Sequence, residues 1–259
     1  MSGAGRLPNL LHTAQKLLSN RSNHTPVPAS LAALDPITKL LDALQPDDVG
    51  LGPSTLQSLR GTAAVRCQHV HSEPSFDVDI FIFPPNAYIP LHDHPHMAVL
   101  SRVLLGNVEV TAFDLIEPNS DELSAEQHPA PGIAEYAWAR ACGAAQHADA
   151  HSTLALTATQ GNLHAFRAGD SGCAIFDILT PPYSAAAGRS CNYYREVPPE
   201  AASRLMDANI PPVEPQHVLA EAVDSARRVC LLQRYIPTPE EFDCVSERYG
   251  GPPLHTANL

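Results

Sequence analysis

The feature that most constrains the fold is a hydrophobic pattern with a period of two residues, which begins near residue 61. From Phe76 to Phe83 the apolar residues Phe76, Val78, Ile80 and Ile82 alternate with Asp77, Asp79, Phe81 and Phe83. This is the pattern of a strand whose successive residues face opposite sides of a sheet. Several short strands without helical segments between them predict a mainly β domain, a sandwich or a barrel. The other predicted strands are Met97 to Leu105, Val108 to Leu115, Thr153 to Thr159, Leu163 to Ala168 and Cys173 to Leu179.

Two glycine-asparagine pairs separate predicted strands. Gly106-Asn107 follows the strand that ends at Leu105, and Gly161-Asn162 precedes the strand that begins at Leu163. Two-residue loops of this kind close tight hairpins. The sequence therefore predicts antiparallel neighbours on either side of each pair. The 25 prolines also favour short strands and loops over long helices.

Residues 1–60 are predicted to be a helical segment that packs on the larger domain. Asp35-Pro36 is a suitable N-cap followed by proline at the first helical position. The absence of acidic residues before Asp35 is a bias shared with mitochondrial transit peptides, but docked helices are the favoured interpretation. The apolar residues at helical spacing are Leu10, Leu11, Ala14, Leu17 and Leu18, followed by Ile37, Leu40, Leu41 and Leu44.

The remainder, residues 61–259, is predicted to be one domain with a surface insertion at about 117–152. The insertion is rich in Glu, Asp, Pro, Ala and His and has little periodicity. A short helix from Pro199 to Ala208 and a strand from Val229 to Leu232 are predicted near the end of the chain.

Charge excludes two classes of partner. Sixteen basic and 28 acidic residues give 16 − 28 = −12, which disfavours nucleic acid and anionic membranes. No apolar run approaches the ~20 residues of a membrane-spanning helix, and no secretory signal is visible. We therefore expect a monomeric cytoplasmic protein. Its six cysteines include no C-x-x-C pair, so free thiols are expected.

Histidines carry the chemical signal. His92 and His94 are separated by one residue, so in an extended chain both can reach one metal ion. The same spacing at His69 and His71 lacks such a setting and is more typical of solvated side chains, whereas His96 is either a further ligand or without a role. A third ligand is available in His164, although a lone histidine on a strand is more often a hydrogen-bonded core residue.

Four segments at compatible spacing resemble successive motifs of the family formed by 2-aminoethanethiol (cysteamine) dioxygenase and the plant cysteine oxidases. The resemblance extends from about residue 35 to the end. The segments are Ile89 to Met97 (IPLHDHPHM), Gly161 to Phe166 (GNLHAF), Ala174 to Tyr183 (AIFDILTPPY) and Arg189 to Arg195 (RSCNYYR).

The resemblance implies a double-stranded β-helix of the cupin superfamily, with one Fe2+ per chain. His96 departs from the pattern, because the family usually has glycine there. The residues that match the family's site are the iron ligands His92, His94 and His164, the active-site aspartate Asp177, the tyrosine Tyr183, and the pair Cys191 and Tyr193 at positions where a thioether cross-link has been considered.

The implied activity adds both atoms of O2 to the sulfur of cysteamine or of an N-terminal cysteine, giving a sulfinic acid. With peptides as substrates, this would mark proteins for oxygen-dependent degradation. Three neutral imidazoles leave the charge of Fe(II) uncompensated, which suits a thiolate. Asp177, on an apolar strand, is either a structural acceptor or a polar group that orients the substrate amine or a ligand histidine. The alternatives are a zinc or manganese cupin hydrolase or isomerase, and a non-catalytic metal-binding cupin.

Overall fold

A computed structural model describes residues 5–19, 31–116, 136–206 and 228–254. The helices are α1 (Arg6–Leu18), α2 (Asp35–Asp42), α3 (Pro53–Gln57) and α4 (Pro199–Met206), with 3₁₀ turns at Leu31–Leu34, Pro46–Val49 and Ala185–Ala187. The strands are β1 (Val65–Glu73), β2 (Phe76–Phe83), β3 (Tyr88–His92), β4 (Ala98–Leu115), β5 (Tyr136–Ala141), β6 (Gln146–Asp149), β7 (Thr153–Leu156), β8 (Leu163–Thr180), β9 (Tyr193–Glu196), β10 (Val229–Tyr235) and β11 (Cys244–Arg248).

The described strands form one sheet that folds back on itself. Its order is β11-β1-β2-β8-β3-β9-β10-β5-β4-β6, with β7 beside β4. Strands β4 and β8 are far apart in this order, but they also pair with each other, which closes the sheet. Every pairing is antiparallel except that of β1 with β11. The mainly β double-stranded β-helix predicted from the sequence is confirmed.

The centre of the fold is the ribbon of β4 and β8. These strands pair from Ala98 opposite Thr180 to Phe113 opposite Leu163. The predicted hairpin at Gly106-Asn107 is wrong, because the chain passes through a β-bulge there and continues in the same strand. For the same reason, the predicted strands from Leu163 and from Cys173 are the two halves of β8.

The second predicted hairpin is also wrong. Strand β7 pairs with β4 rather than with β8, so Gly161-Asn162 does not join two paired neighbours. The turn before it is closed by Thr157 and Gln160, and Gly161 then takes a positive φ of 64°. Strands β7 and β8 are neighbours in the sequence, but each of them pairs with the central strand β4 instead of with the other.

The N-terminal helices dock on the outer face of the sheet, as predicted. Their apolar side chains form one buried cluster with alternate residues of β2, including Phe76 and Ile80. Burial of each leucine contributes about 1.5 to 3 kcal/mol. Leu17 is an exception to the predicted buried set, because it is 37% exposed. The predicted cap is displaced by one residue: Leu34 is the N-cap and Asp35 begins α2.

The segment predicted to be an insertion contains two strands. Within residues 117–152 the structure describes 136–152, where β5 pairs with β4 and β10, and β6 pairs with β4. The sequence pattern is weak because these strands are short and partly exposed. The predicted helix and strand near the end correspond to α4, with residues 207–208 outside the described residues, and to β10. The domain limits stay a prediction.

Among the described residues, none of the helices is both long enough and apolar enough to cross a bilayer.

Gly106 is the residue on which the bend of the central ribbon depends. Its φ is 68°, and a Cβ atom there would lie 2.0 Å from the carbonyl oxygen of Gly172. We expect Gly106→Ala to lower the free energy of unfolding by about 3 to 5 kcal/mol, because backbone must move to relieve the clash. Urea unfolding followed by circular dichroism measures this loss.

Gly188 provides the matched control. Its φ is 70°, but nothing lies within 4 Å of a Cβ built there. Gly188→Ala should therefore lose only the cost of the left-handed conformation, about 1 to 2 kcal/mol. Equal losses in the two variants would show that the close approach to Gly172 has no role.

Candidate metal centre

The fold brings His92, His94 and His164 together. His92 ends β3 and is the ladder partner of His164 near the start of β8, while His94 follows two residues after the end of β3. Their ligand atoms all lie within 4.8 Å of one another, and the Nε2 atoms of His94 and His164 are 3.0 Å apart. The histidine cluster predicted from the sequence is present as one compact group.

Hydrogen bonds orient two of these imidazoles. The Nδ1–H of His92 donates to the carbonyl oxygen of Pro90 over 2.8 Å. The Tyr183 hydroxyl donates to the Asp93 carbonyl oxygen, so it accepts from His94 Nδ1 over 2.7 Å. These tautomers leave the Nε2 lone pairs of His92 and His94 free for a metal ion. The donor set therefore fits a divalent transition metal, with His92, His94 and His164 as its ligands.

Burial keeps the three imidazoles neutral. It lowers the pKa of His92, and it lowers the pKa values of His94 and His164 well below the usual range, with the neighbouring histidines acting in the same direction. Neutral imidazole is the form that binds metals. The site is thus prepared for a cation at neutral pH.

The Asp93 carboxylate fixes the short segment between the first two histidines. It accepts hydrogen bonds from the main-chain and side-chain amides of Asn192 and from the Tyr194 hydroxyl, at 2.8 to 3.2 Å. On the other side, the Asn162 side chain bonds both main-chain groups of His94. The sequence analysis assigned no role to Asp93, Asn162, Asn192 or Tyr194. The sequence indicates them only by their positions inside the motifs IPLHDHPHM, GNLHAF and RSCNYYR.

The other histidines lie outside the cluster. His96 is exposed and has a φ of 58°, a conformation that favours glycine, which is the residue the related family usually has there. His69 is hydrogen-bonded to Asp79 and 53% exposed at its side chain. His71 is less solvated than predicted, with 16% side-chain exposure, and lies beside Glu73. Among the described residues, none of the three belongs to the candidate ligand group.

Tyr183, Cys191 and Tyr193 surround the centre on one side. The Tyr183 ring stacks on His94, and the Tyr193 ring lies 6.0 Å from His92. The Cys191 thiol forms hydrogen bonds with both tyrosine hydroxyls. Burial raises the pKa of Cys191 to about 11 and that of Tyr183 well above its usual value. The predicted proximity of these residues to the site is thereby observed, and all six cysteines are free thiols.

Asp177 is not part of the histidine ligand group of the described residues. Its side chain is buried and hydrogen-bonded to Ser101, its partner across the ribbon, and in the part of the chain that the structure describes Oδ1 has no hydrogen-bond partner. Burial raises the pKa of this carboxyl to about 7. Leu179, two residues along the same face of β8, belongs to an apolar cluster that contacts Tyr183. This cluster connects the Asp177 face of β8 to Tyr183 and so to the metal centre.

A cavity opens beside the centre. Its volume is about 350 Å³, and its lining includes Cys191, Tyr193, Arg234, Tyr235 and Phe242. Because Tyr193 also faces His92, the cavity lies next to the metal side of the fold. It offers aromatic surface and one guanidinium to a ligand.

Fold and site together define a cupin-type protein with a three-histidine metal centre. A family model described as PCO_ADO matches residues 40–254, and the chain belongs to this family. The resemblance drawn from the four motifs is thereby confirmed, and with it the class of enzyme, a thiol dioxygenase.

Individual relatives carry corresponding names. The 2-aminoethanethiol dioxygenase of Mus musculus is 28% identical over 251 residues, covering 90% of each chain. That of Homo sapiens is 30% identical over 238 residues, covering 85% of this chain and 80% of the human one. Plant cysteine oxidase 2 of Arabidopsis thaliana is 31% identical over 194 residues, covering 73% of this chain and 66% of the plant one.

Solved structures with low identity were also found. A RmlC-like cupin protein from Desulfovibrio desulfuricans is 18% identical, with a TM-score of 0.31, covering 46% of this chain and 84% of that one. A double-stranded β-helix protein from Klebsiella pneumoniae is 13% identical, with a TM-score of 0.34, covering 53% of this chain and 87% of that one.

The Tyr183 hydroxyl is expected to support metal binding through His94. Tyr183→Phe removes the acceptor of the His94 Nδ1 proton, so the tautomer with a free Nε2 loses its support. We expect the dissociation constant for Fe(II) to rise about 10- to 100-fold, measured by anaerobic titration.

Tyr194→Phe is the matched control, because that hydroxyl donates to the Asp93 carboxylate and contacts no ligand histidine. Its effect on metal affinity should be clearly smaller. A Tyr183→Phe protein with the affinity of the wild type would refute the positioning role.

Asp177 makes stability depend on pH. Its pKa is about 7 in the folded protein, against 3.8 in an unfolded chain, so ionisation favours unfolding as pH rises from 3.8 to 7. Asp177→Asn removes this dependence. Between pH 5 and pH 8 the stability of the variant relative to the wild type should increase by about 2 to 3 kcal/mol. Urea unfolding at several pH values measures the difference in stability between the variant and the wild type. A difference that does not change with pH would contradict the raised pKa of Asp177.

Proposed function

We propose that this protein is an Fe(II)-dependent dioxygenase that converts the thiol of a 2-aminoethanethiol unit to a sulfinic acid. The observation that carries the proposal is the cluster of His92, His94 and His164, three neutral imidazoles without a carboxylate in the ligand group of the described residues. Bound Fe(II) supplies O2 activation and favours the thiolate form of the substrate. Family membership supports the same reaction.

The surrounding side chains have separate tasks in this proposal. Tyr183 holds the proton of His94 at Nδ1, and Asp93 keeps the two neighbouring histidines in place through Asn192. Cys191 and Tyr193 form the wall between the centre and the cavity, and exclude water from the reacting sulfur. These are positioning roles, in which the residues act through the ligands and the shape of the site.

Asp177 is assigned to the substrate amine. An unpartnered carboxylate oxygen in a buried setting is costly unless a donor binds to it. The second ring nitrogens of His92 and His94 are already bonded elsewhere, so Asp177 is not needed to orient these two ligands, and we assign its free oxygen to a substrate ammonium. In this role Asp177 binds one end of the aminoethanethiol unit while the sulfur lies at the centre.

Both cysteamine and an N-terminal cysteine contain that unit. The proposal includes either as substrate, with O2 as the second reactant, and an oxygen-dependent marking of proteins where peptides are oxidised. A monomer in the cytoplasm remains our expectation, and the net charge of −12 disfavours nucleic-acid and anionic membrane partners.

The test is anaerobic loading with Fe(II), followed by exposure to O2 with cysteamine or with a short peptide that begins with cysteine. A product heavier by the mass of two oxygen atoms is the expected result for one or both. Iron-loaded protein that adds no oxygen to either substrate, or zinc-loaded protein that hydrolyses or isomerises a substrate, would overturn the proposal.

Histidine variants locate the reaction. His164→Ala should lose bound iron and oxygen addition together, because two ligands hold the ion far more weakly than three. His96→Ala is the control, since this neighbouring histidine is exposed and outside the cluster, and it should retain both. Full turnover with retained iron in His164→Ala would contradict the ligand assignment.

A further inference from the structure

Two thiols meet at the edge of the sheet, away from the metal centre. Cys67 lies in β1 and Cys244 begins β11, which pairs only with β1 among the described strands. The Cys67 thiol and the Cys244 sulfur are in hydrogen-bond contact. Cys244 is exposed and Cys67 is partly buried. One thiol is therefore accessible from solvent, while the thiol in contact with it is less exposed.

The two sulfurs differ in character. The hydrogen bond from Cys67 lowers the pKa of Cys244, although burial and the carboxylates of Asp243 and Asp79 act in the opposite direction. The same bond raises the pKa of Cys67, which keeps its proton. An accessible thiol that is more easily ionised, with a second thiol in contact, is the arrangement of a nucleophilic and a resolving cysteine.

The strand register determines how far apart the two cysteine main chains lie. Cys244 is opposite Val65, and Cys67 is opposite Ser246, so the cysteines are two residues out of step. Strands about 4.8 Å apart with about 3.3 Å per residue place such Cα atoms about 8 Å apart. A disulfide needs Cα atoms within about 7 Å. Closing the bond therefore requires β11 to move along β1.

That movement would reach the metal side of the fold. Phe242, two residues before Cys244, packs with its ring 5.8 Å from that of Tyr193 and contributes to the lining of the cavity. Tyr193 in turn faces His92. Because β11 is an edge strand, its ladder with β1, from Cys244 to Arg248, is the one described ladder that has to shift.

We propose that Cys67 and Cys244 form a redox-active dithiol, which a hydroperoxide converts to a disulfide that draws β11 along β1 and withdraws Phe242 from Tyr193. The Cys244 thiolate attacks the peroxide O–O bond, giving a sulfenic acid and releasing hydroxide. The Cys67 sulfur then attacks Cys244, the S–S bond forms, and water leaves with the proton of Cys67. With hydrogen peroxide as the oxidant, the two thiols together lose two electrons, and the peroxide is reduced to two waters once the released hydroxide takes up the proton that Cys244 lost on ionisation.

Peptide mapping tests the chemistry without any assay of turnover. The full chain, freed of metal and kept with a chelator, is treated with one equivalent of hydrogen peroxide. Thiols titrated after denaturation should fall from six to four, and a linked peptide containing Cys67 and Cys244 should appear. Cys67→Ser and Cys244→Ser should each prevent the link. Cys142→Ser, which removes another exposed cysteine, should leave it intact.

Three results would overturn the dithiol: six thiols that survive treatment, a link between other cysteines, or Cys244 oxidised to a sulfinic acid without a link. Because the two single variants break the same pair, poor folding of one leaves the other as the test. In Cys67→Ser, a sulfenic acid at Cys244 should be trapped by a carbon nucleophile such as dimedone.

The effect on the centre rests on the proposed function and is tested separately. Oxidised protein, reloaded with Fe(II), should show a KM for an N-terminal cysteine peptide raised about two- to tenfold, the equivalent of one aromatic contact. Reduction with dithiothreitol should restore it, and Cys244→Ser should not respond to peroxide. An unchanged KM in linked protein would refute the movement of Phe242. A protein that turns over no substrate in any state would refute the proposed function, while the peptide map would still decide the dithiol.

Discussion

The pairing of β4 with β8 is the constraint on which the rest of the structure depends. It spans both halves of each strand, so one ladder fixes Ala112 opposite His164 and Ser101 opposite Asp177. A continuous pair of this length could not wrap around a core if it were straight. The bulge at Gly106, in contact with Gly172, supplies the bend. One half of the ribbon can then pair with β3, which carries His92, while the other pairs with β2.

The metal centre uses this frame in two ways. The β3–β8 ladder sets His92 beside His164 through main-chain bonds alone. His94 lies beyond the end of β3 and has no ladder to hold it, so side chains do this work: Asn162 bonds its main chain and Tyr183 bonds its ring. A loop ligand held by buried polar groups is as well defined as a strand ligand when each group is satisfied.

The sequence was sufficient for the longer strands, the docked helices and the three histidines, because periodicity and short spacing are local signals, but it missed the short strands β5 and β6. It failed at Gly106-Asn107, since the same dipeptide serves a hairpin and a bulge, and only the distant partner strand distinguishes them. The support of the site was missed for a similar reason. Asp93 and Asn192 are 99 residues apart and meet only in the fold, and no pattern in one sequence reports such a contact.

The distribution of charge inside the fold argues for a substrate that carries both signs. The three imidazoles are kept neutral by burial, so a bound cation retains its full charge and attracts an anion such as a thiolate. Asp93, which lies between His92 and His94 in the sequence, already accepts hydrogen bonds from Asn192 and Tyr194. Asp177 differs because one of its oxygens has no donor in the described part of the chain. A positive ligand site and a carboxyl that requires a donor are complementary to a molecule with a thiolate at one end and an ammonium at the other.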